Sequence, residues 1–397
     1  MHIVFLCGTL SLSIGIPTTW QVARSGAYHS IVVGGKVVEL AYKTNFQKTV
    51  EDIYPAYLKK ELLKQAVNDG LVVDNKKNSY QISFKFADIV DVSEYDTLDE
   101  KINSILDADR VLQYIGEFEY RRQYRHFCYF KCSEIPSTKL EELVENGVVH
   151  LFNKNGKTLI DSYDKPSLYI VDNLVYFKFS ERLNNETGNQ IKFTIICVLD
   201  KEHNIIELRF DRVGIAYKNS YNFYRDKINT ILDYLRKNLT VEIKNIDFKS
   251  VIDYIRTEKD NISIYAQRMQ RNGTTAYLEA YDDGEGVMPI LGELGNFIEE
   301  NKELFDTDIN TNLIRDKLVA FIKEIEVKSD MPMVKVKLDD KDIKFGITHN
   351  YKGIEYSLFM FYGELLGDKE MMGYVRNYLI ECNRELENCI SPDVIPK

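Results

Sequence analysis

Glu242-Ile-Lys244 sets a carboxylate and an ammonium two residues apart. On a strand that spacing puts both side chains on one face, where they can hold a divalent ion and activate water for phosphodiester cleavage. Glu207 and Asp211, on a predicted strand edge, are the acids that would complete such a site. The catalytic candidates of a metal-dependent nuclease acting on DNA or RNA are therefore Glu242, Lys244, Asp211 and Glu207, with Mg²⁺ or Mn²⁺ as the ion. Glu326-Val-Lys328 repeats the spacing, but the acids upstream of the two motifs, Asp233 and Asp316, fall inside predicted helices and are poorly placed for a strand-borne metal. Outside the nuclease reading the sequence implies no cofactor and no metal.

Tyr120 to Lys131 carries a second chemistry. Tyr-Arg-Arg-Gln-Tyr-Arg-His-Phe-Cys-Tyr-Phe-Lys is the densest interleaving of cations and rings in the chain. Cations neutralise a phosphate backbone and rings stack on bases, so Tyr120, Arg121, Arg122, Tyr124, Arg125 and Lys131 are the candidate nucleic-acid contacts. The same string also suits a two-faced structural element with rings inside and guanidiniums in water. Strand geometry gathers Tyr120, Tyr124, His126, Cys128 and Phe130 on one face, whereas helical geometry gathers Tyr120, Tyr124 and Phe127 opposite a ridge of Arg121, Arg122 and Arg125. Periodicity does not decide between them, and glycines of the kind found among the aromatics of an RNA recognition motif are missing.

Other chemistries lack their residues. Cys128 and Cys132 have zinc-like spacing, but no second Cys or His pair follows at a suitable distance. The six histidines occur singly without a nucleophile elbow, and Gly284-Glu-Gly286 lacks the Lys-Ser/Thr of a phosphate loop. Asp282, Asp283 and Glu285 lack the repeat of a calcium loop and read as a polar loop.

The elements that would position these residues follow from periodicity. Alternation predicts strands in the apolar first residues around Leu10 to Ile16, a Gly34-Gly35 hairpin between Ile31 and Val38, and a strand over Tyr80 to Ala87. A helix is expected over 49–68, and Thr97-Leu-Asp-Glu100 reads as a capping box that starts another. Further helices are expected at 140–145, 224–239 and 371–386, with strands at 168–171, 175–179, 191–199, 205–211, 333–338, 343–347 and 354–362. Gln-Ile-Lys-Phe-Thr-Ile at 190–195 echoes Asp-Ile-Lys-Phe-Gly-Ile at 342–347. The expected class is α+β: an N-terminal β-rich region with helices over 1–135, then two βββα-like modules over 136–270 and 271–397. Residues 272–301 read as an exposed loop or junction.

Composition bounds the function. Of the 397 residues 44% are hydrophobic and 28% charged, values of a globular chain with enough apolar side chains for a sizeable interior. A net charge of -10 opposes diffuse attraction to polyanions or anionic lipid, so any nucleic-acid contact must be a local patch. Six scattered cysteines suit free thiols in a reducing compartment. His2 to Ile16 is too interrupted and too short for a membrane span, and no Lys or Arg precedes Arg24. These features lead to the expectation of a non-catalytic cytoplasmic binding or assembly subunit, of the kind found in microbial mobile-element or defence systems. It would contact a protein partner, a second copy or nucleic acid, and no membrane, through an exposed strand edge or the Tyr120–Lys131 strip.

Overall fold

A computed structural model of the chain describes residues 30–33, 36–74, 89–152, 161–271, 273–279, 289–328, 330–362 and 371–390. In chain order the elements are β1 (Ser30–Val33), β2 (Lys36–Glu39), α1 (Leu40–Lys48), α2 (Ala56–Asn68), β3 (Val72–Val73), β4 (Val90–Asp91), α3 (Leu98–Leu106), α4 (Asp109–Arg121), β5 (His126–Cys132) and α5 (Ser137–Glu145). There follow β6 (His150–Leu151), β7 (Ser167–Val171), β8 (Leu174–Asn184), β9 (Gln190–Asp200), β10 (Ile205–Phe210), α6 (Phe223–Leu239), β11 (Ile243–Asn245), α7 (Phe248–Glu258), β12 (Ile262–Arg271) and β13 (Thr274–Glu279). The chain ends with α8 (Pro289–Glu300), α9 (Lys302–Phe305), α10 (Ile309–Lys328), β14 (Asp330–Leu338), β15 (Ile343–Thr348), β16 (Leu358–Phe361) and α11 (Met371–Ile390). The class is α+β.

The chain divides into two compact units, each drawn from several stretches: 1–122, 137–197 and 213–219 in the first, 123–136, 198–212 and 220–397 in the second.

In the first unit, α1 to α4 close on one apolar core that includes Phe46, Leu62, Ile105, Leu112, Ile115 and Phe118. α3 begins where expected, because Thr97 Oγ1 accepts from the Glu100 N–H while Glu100 accepts from the Thr97 N–H, meeting two backbone donors that the helix itself leaves unpaired. The helix expected over 49–68 is broken: Thr49–Ile53 forms a π turn and Pro55, which cannot continue a helix from the preceding residue, precedes α2. The unit's sheet runs β9-β8-β7-β6. β1 and β2 pair antiparallel as the glycine pair suggests, while Gly34, Gly35, the expected strands at 10–16 and 80–87, and Asp282 to Gly286 lie outside the described residues.

The second unit is built on the sheet β13-β12-β14-β15-β16-β5-β10. β5 pairs with β10 along one edge, and its other edge is shared in succession by β16, opposite His126 and Phe127, and β11, opposite Phe130 to Cys132. Phe127 stacks on Phe359 at 5.0 Å and Phe361 at 4.5 Å between ring centroids, so an aromatic ladder holds this register. α11 packs on α7. Residues 272–301 are not one loop: β13 and α8 occupy much of the segment. Gly292 and Gly295 disguise the helix, since each costs helix propensity without preventing the helical backbone. Glu326 and Lys328 lie within α10, so their strand-like spacing serves no strand. No helix among the described residues is long and apolar enough to cross a membrane.

Candidate functional site

The strip from Tyr120 to Lys131 is neither one helix nor one strand. It comprises the end of α4, a short turn and β5, and each cation has a partner in its own unit. In the first unit, Tyr120 is buried against the rings of Phe152 and Tyr169, Arg121 pairs with Glu117 at 3.1 Å, and the buried Arg122 guanidinium lies 5.1 Å from the Tyr54 ring centroid. In the second unit Tyr124 is fully buried, Arg125 Nη1 donates to the Phe361 carbonyl at 2.8 Å, and Lys131 pairs with Glu387. The turn arises because Arg122 leaves the helix with extended backbone (φ -68°, ψ 162°), so the pattern changes period within four residues. Arg121, Arg125 and Lys131 are each part-exposed, whereas Tyr120, Arg122 and Tyr124 are buried and closed to a polyanion.

The nuclease candidates occupy different settings. Glu242 and Lys244 are exposed at the start of β11 and pair with each other at 3.2 Å. Glu207 is fully buried in mid-β10, gripped by Arg209 Nε and Nη2 at 2.7 Å each, with Arg376 Nη1 at 3.4 Å. Asp211 accepts the Arg125 N–H at 3.3 Å. Glu207 therefore carries a charge already matched by two guanidiniums, the reverse of a carboxylate open to a cation. Among the described residues no group of three or more His, Cys, Asp or Glu is arranged to hold a metal ion.

Two ionic networks escaped the sequence reading. In the first unit, Glu119 of α4 points into the interior, where its Oε2 lies 2.5 Å from Lys192 Nζ and 3.5 Å from Lys178 Nζ. Lys178 also pairs with Asp161 at 2.5 Å and donates to the Gly116 carbonyl at 2.8 Å, while Lys192 Nζ sits 3.7 Å from the Phe46 ring centroid. All these side chains are buried. Burial pushes the Glu119 carboxyl up, but Lys192, Lys178 and Arg122 outweigh it and hold it at about 2; burial pulls the Lys192 ammonium down to about 8 against the attraction of Glu119. The network is an electrostatic clamp between α4, β8 and β9, with every charge opposed.

In the second unit Asp200 accepts the N–H groups of Glu202 and His203 at 3.0 and 3.1 Å, and its Oδ2 meets His203 Nδ1 at 2.9 Å and Arg376 Nε at 3.3 Å. His203 thereby lines a polar cleft of about 560 Å³ with Glu202, Asn377, Glu381, Arg384 and Glu385. Lys259 and Tyr254 take up Glu385, at 2.7 and 3.1 Å. An aspartate behind a histidine fixes its tautomer. Among the described residues neither Ser nor Cys lines the cleft, so these walls give that base no nucleophile.

The remaining feature is apolar. α8, α9 and α10 pack on one another, and Asp308 caps α10 by accepting the N–H groups of Asn310 and Thr311 at 2.7 and 3.1 Å. Arg315 ties α10 to the preceding turn through Asp306. Leu318, Ile322 and Ile325, at spacings of four and three, are half-buried, yet Leu313, Ile314 and Phe321 are each more than half exposed. Phe297 of α8 and Leu304 of α9 are 55% and 68% exposed. Scattered apolar side chains on a surface are ordinary; here several that are more than half exposed stand on three helices that pack on one another. Compared with known proteins, the chain matches no family model and no curated sequence.

Proposed function

We propose that the chain is a non-catalytic binding or assembly subunit whose docking surface is the α8–α10 layer. The observation that carries this reading is α10, a 20-residue helix on which no described side chain is fully buried although Leu313, Ile314, Leu318, Phe321, Ile322 and Ile325 are apolar. A helix apolar on more than one side belongs to an interior, and among the described residues no second layer covers this one. β13 ends its sheet with an outer edge unpaired among the described residues, and that edge offers backbone groups to a partner.

The test is site-specific photocrosslinking from position 321 in the expressing cell. Protein adducts formed from this position, with none from the still more exposed Tyr221 of the second unit, are expected. Their absence from position 321 overturns the reading. Cleavage of DNA or RNA by the purified chain in Mg²⁺ or Mn²⁺, lost in Glu242→Ala and Lys244→Ala, overturns the non-catalytic part.

A further inference from the structure

We infer that one face of the sheet formed by β13, β12, β14 and β15 in the second unit binds single-stranded nucleic acid, with Tyr265, Tyr277 and Tyr362 as the base-stacking rings and Arg268 and Lys344 as the phosphate contacts. The site is separate from the α8–α10 surface, and neither reading rests on the other.

Strand register brings these residues together. Directly opposed residues of an antiparallel pair share a face, and so do alternate residues of one strand. Arg268 is opposed to Tyr277 on one side and to Met333 on the other. Two and four residues beyond Met333, Lys335 is opposed to Gly346 and Lys337 to Lys344. Tyr362 lies two residues beyond Met360, the other partner of Gly346, and it crosses onto this face where an added Gly346 Cβ would lie 2.6 Å from its ring. Between Ile264 and Ala266 the register of β12 shifts, and Tyr265 joins the group: Lys335 Nζ and Lys344 Nζ lie 5.8 and 5.7 Å from its ring centroid. On the opposite face Val334, Val336, Phe345 and Ile347 are buried.

The rings form one cluster. Lys335 Nζ is also 5.4 and 4.8 Å from the Tyr277 and Tyr362 centroids. Any two of the three rings are therefore within roughly 11 Å of each other, the reach of a few stacked bases at about 3.4 Å each. Glu279 holds the group in place, accepting from Lys335 Nζ and from the Tyr277 hydroxyl at 2.8 Å each. Rings already fixed lose less freedom when a base stacks on them.

The charge on this face is local and positive. Lys335 is taken by Glu279, and Lys337 meets Asp342 at 3.5 Å. Arg268 and Lys344 are exposed and have no acidic partner among the described residues. They flank the rings: Arg268 is level with Met333 and Lys344 with Lys337, ~13 Å apart along β14. A chain of net charge -10 repels polyanions at large, so only a patch of this kind can hold one. Two cations alone would serve any anion. Rings between them favour an anion that carries flat bases, and an unpaired strand offers base faces that a duplex keeps stacked.

The experiment is fluorescence anisotropy of the purified full chain with labelled twelve-nucleotide oligo(U), oligo(dT) and a duplex of equal length, from 25 to 150 mM salt. A single strand, RNA or DNA, is expected to bind at least tenfold tighter than the duplex. Its log K should fall against log salt with a slope of about -1.4, the value for two phosphates. Arg268→Glu/Lys344→Glu should weaken binding at least tenfold, Tyr277→Leu at least fivefold and Tyr277→Phe less than threefold. These three positions are exposed, so circular dichroism should be unchanged in each variant. Failure of 100 µM chain to bind either strand at 25 mM salt, a duplex bound as tightly as the single strand, or full affinity in Arg268→Glu/Lys344→Glu overturns the site. Affinity lost in the charge-reversed variant but kept in Tyr277→Leu overturns it as well, because such a surface takes any anion.

Discussion

Replacing Glu119 with Gln tests whether one carboxylate keeps two lysines inside the first unit. Lys178 retains Asp161 and the Gly116 carbonyl, so the loss falls on Lys192, whose Nζ then has no carboxylate in contact among the described residues and lies beside the Phe46 and Tyr42 rings. Left charged and unpaired, a buried ion of this kind costs about 3–5 kcal/mol. The alternative is to shed the proton. A lysine that is neutral at pH 7 in the fold and titrates near 10.5 when unfolded costs ~1.4 kcal/mol for each of about 3.5 pH units, so this route is bounded near 5 kcal/mol. The wild-type residue already bears about half or more of that penalty, being drawn down to about 8. What the variant additionally loses is the contribution of Glu119 itself, held at about 2 instead of 4.5, which is ~3 kcal/mol at neutral pH. Both routes give a destabilisation of roughly 3–5 kcal/mol.

The pH dependence separates them from a packing defect. The carboxyl of Glu119 is depressed in the fold, so its contribution is complete above pH 4.5 and is lost as the pH falls toward 2. The ammonium of Lys192 is also depressed, so its penalty is present below pH 8 and fades as the pH rises toward 10.5. In Glu119→Gln the lysine is depressed further and the relief begins at lower pH. Raising the pH from 7 to 9 should therefore stabilise the variant more than the parent. The assay is urea denaturation combined with hydrogen exchange of the α4 amides, which report on the unit that holds the network. Adding Lys192→Met should recover at least half of the loss. A Glu119→Gln chain within 0.5 kcal/mol of the parent, or no recovery in the double variant, would refute the clamp.

The α3 cap, the close approach at Gly346 and the buried thiols give three further outcomes. Thr97→Ala removes the side-chain acceptor of the α3 cap and should lower stability by about 1 kcal/mol in urea melts, whereas Thr97→Ser should be nearly silent. At Gly346 an added Cβ would lie 2.6 Å from the Tyr362 ring, so Gly346→Ala should cost ~1–3 kcal/mol by thermal denaturation, and Tyr362→Ala should make the alanine tolerable. Burial pushes the thiols of Cys132 and Cys382 up to about 12 and about 11 and that of Cys128 well above its ordinary value, while Cys389 is exposed; among these four, iodoacetamide followed by peptide mapping should label Cys389 first.

Local patterns carried much of the fold. Runs of β-branched and aromatic residues mark β7, β8 and β9, an unbroken apolar stripe marks α6, and Thr97 with Glu100 marks the start of α3 to the residue. Charge placement was hidden by the same logic. A lysine between Phe177 and Phe179, or between Ile191 and Phe193, reads as outward-facing on a strand; Glu119, 59 and 73 residues earlier in the chain, and for Lys178 also Asp161, reverse that reading. Glu207 is concealed in the same way, because Arg209 lies beside it but Arg376 arrives from α11. The apolar surface was equally obscure. Ile314 and Leu318 look like core in a sequence, and whether a second layer covers them is a tertiary fact.

The shared edge of β5 also has a consequence in time. Its His126–Phe127 end waits for Phe359 and Met360, made more than 230 residues later. At roughly 5–20 residues per second, a ribosome leaves that stretch of backbone without its neighbour for about 10–45 s. During this interval a strand of Phe, Tyr and Cys presents open donors and acceptors, the state in which nascent chains pair wrongly with one another. The chain's yield should therefore depend on synthesis rate and on chaperones that shield nascent strands. A truncation before Leu358 would leave β5 permanently half-paired, and the second unit with it.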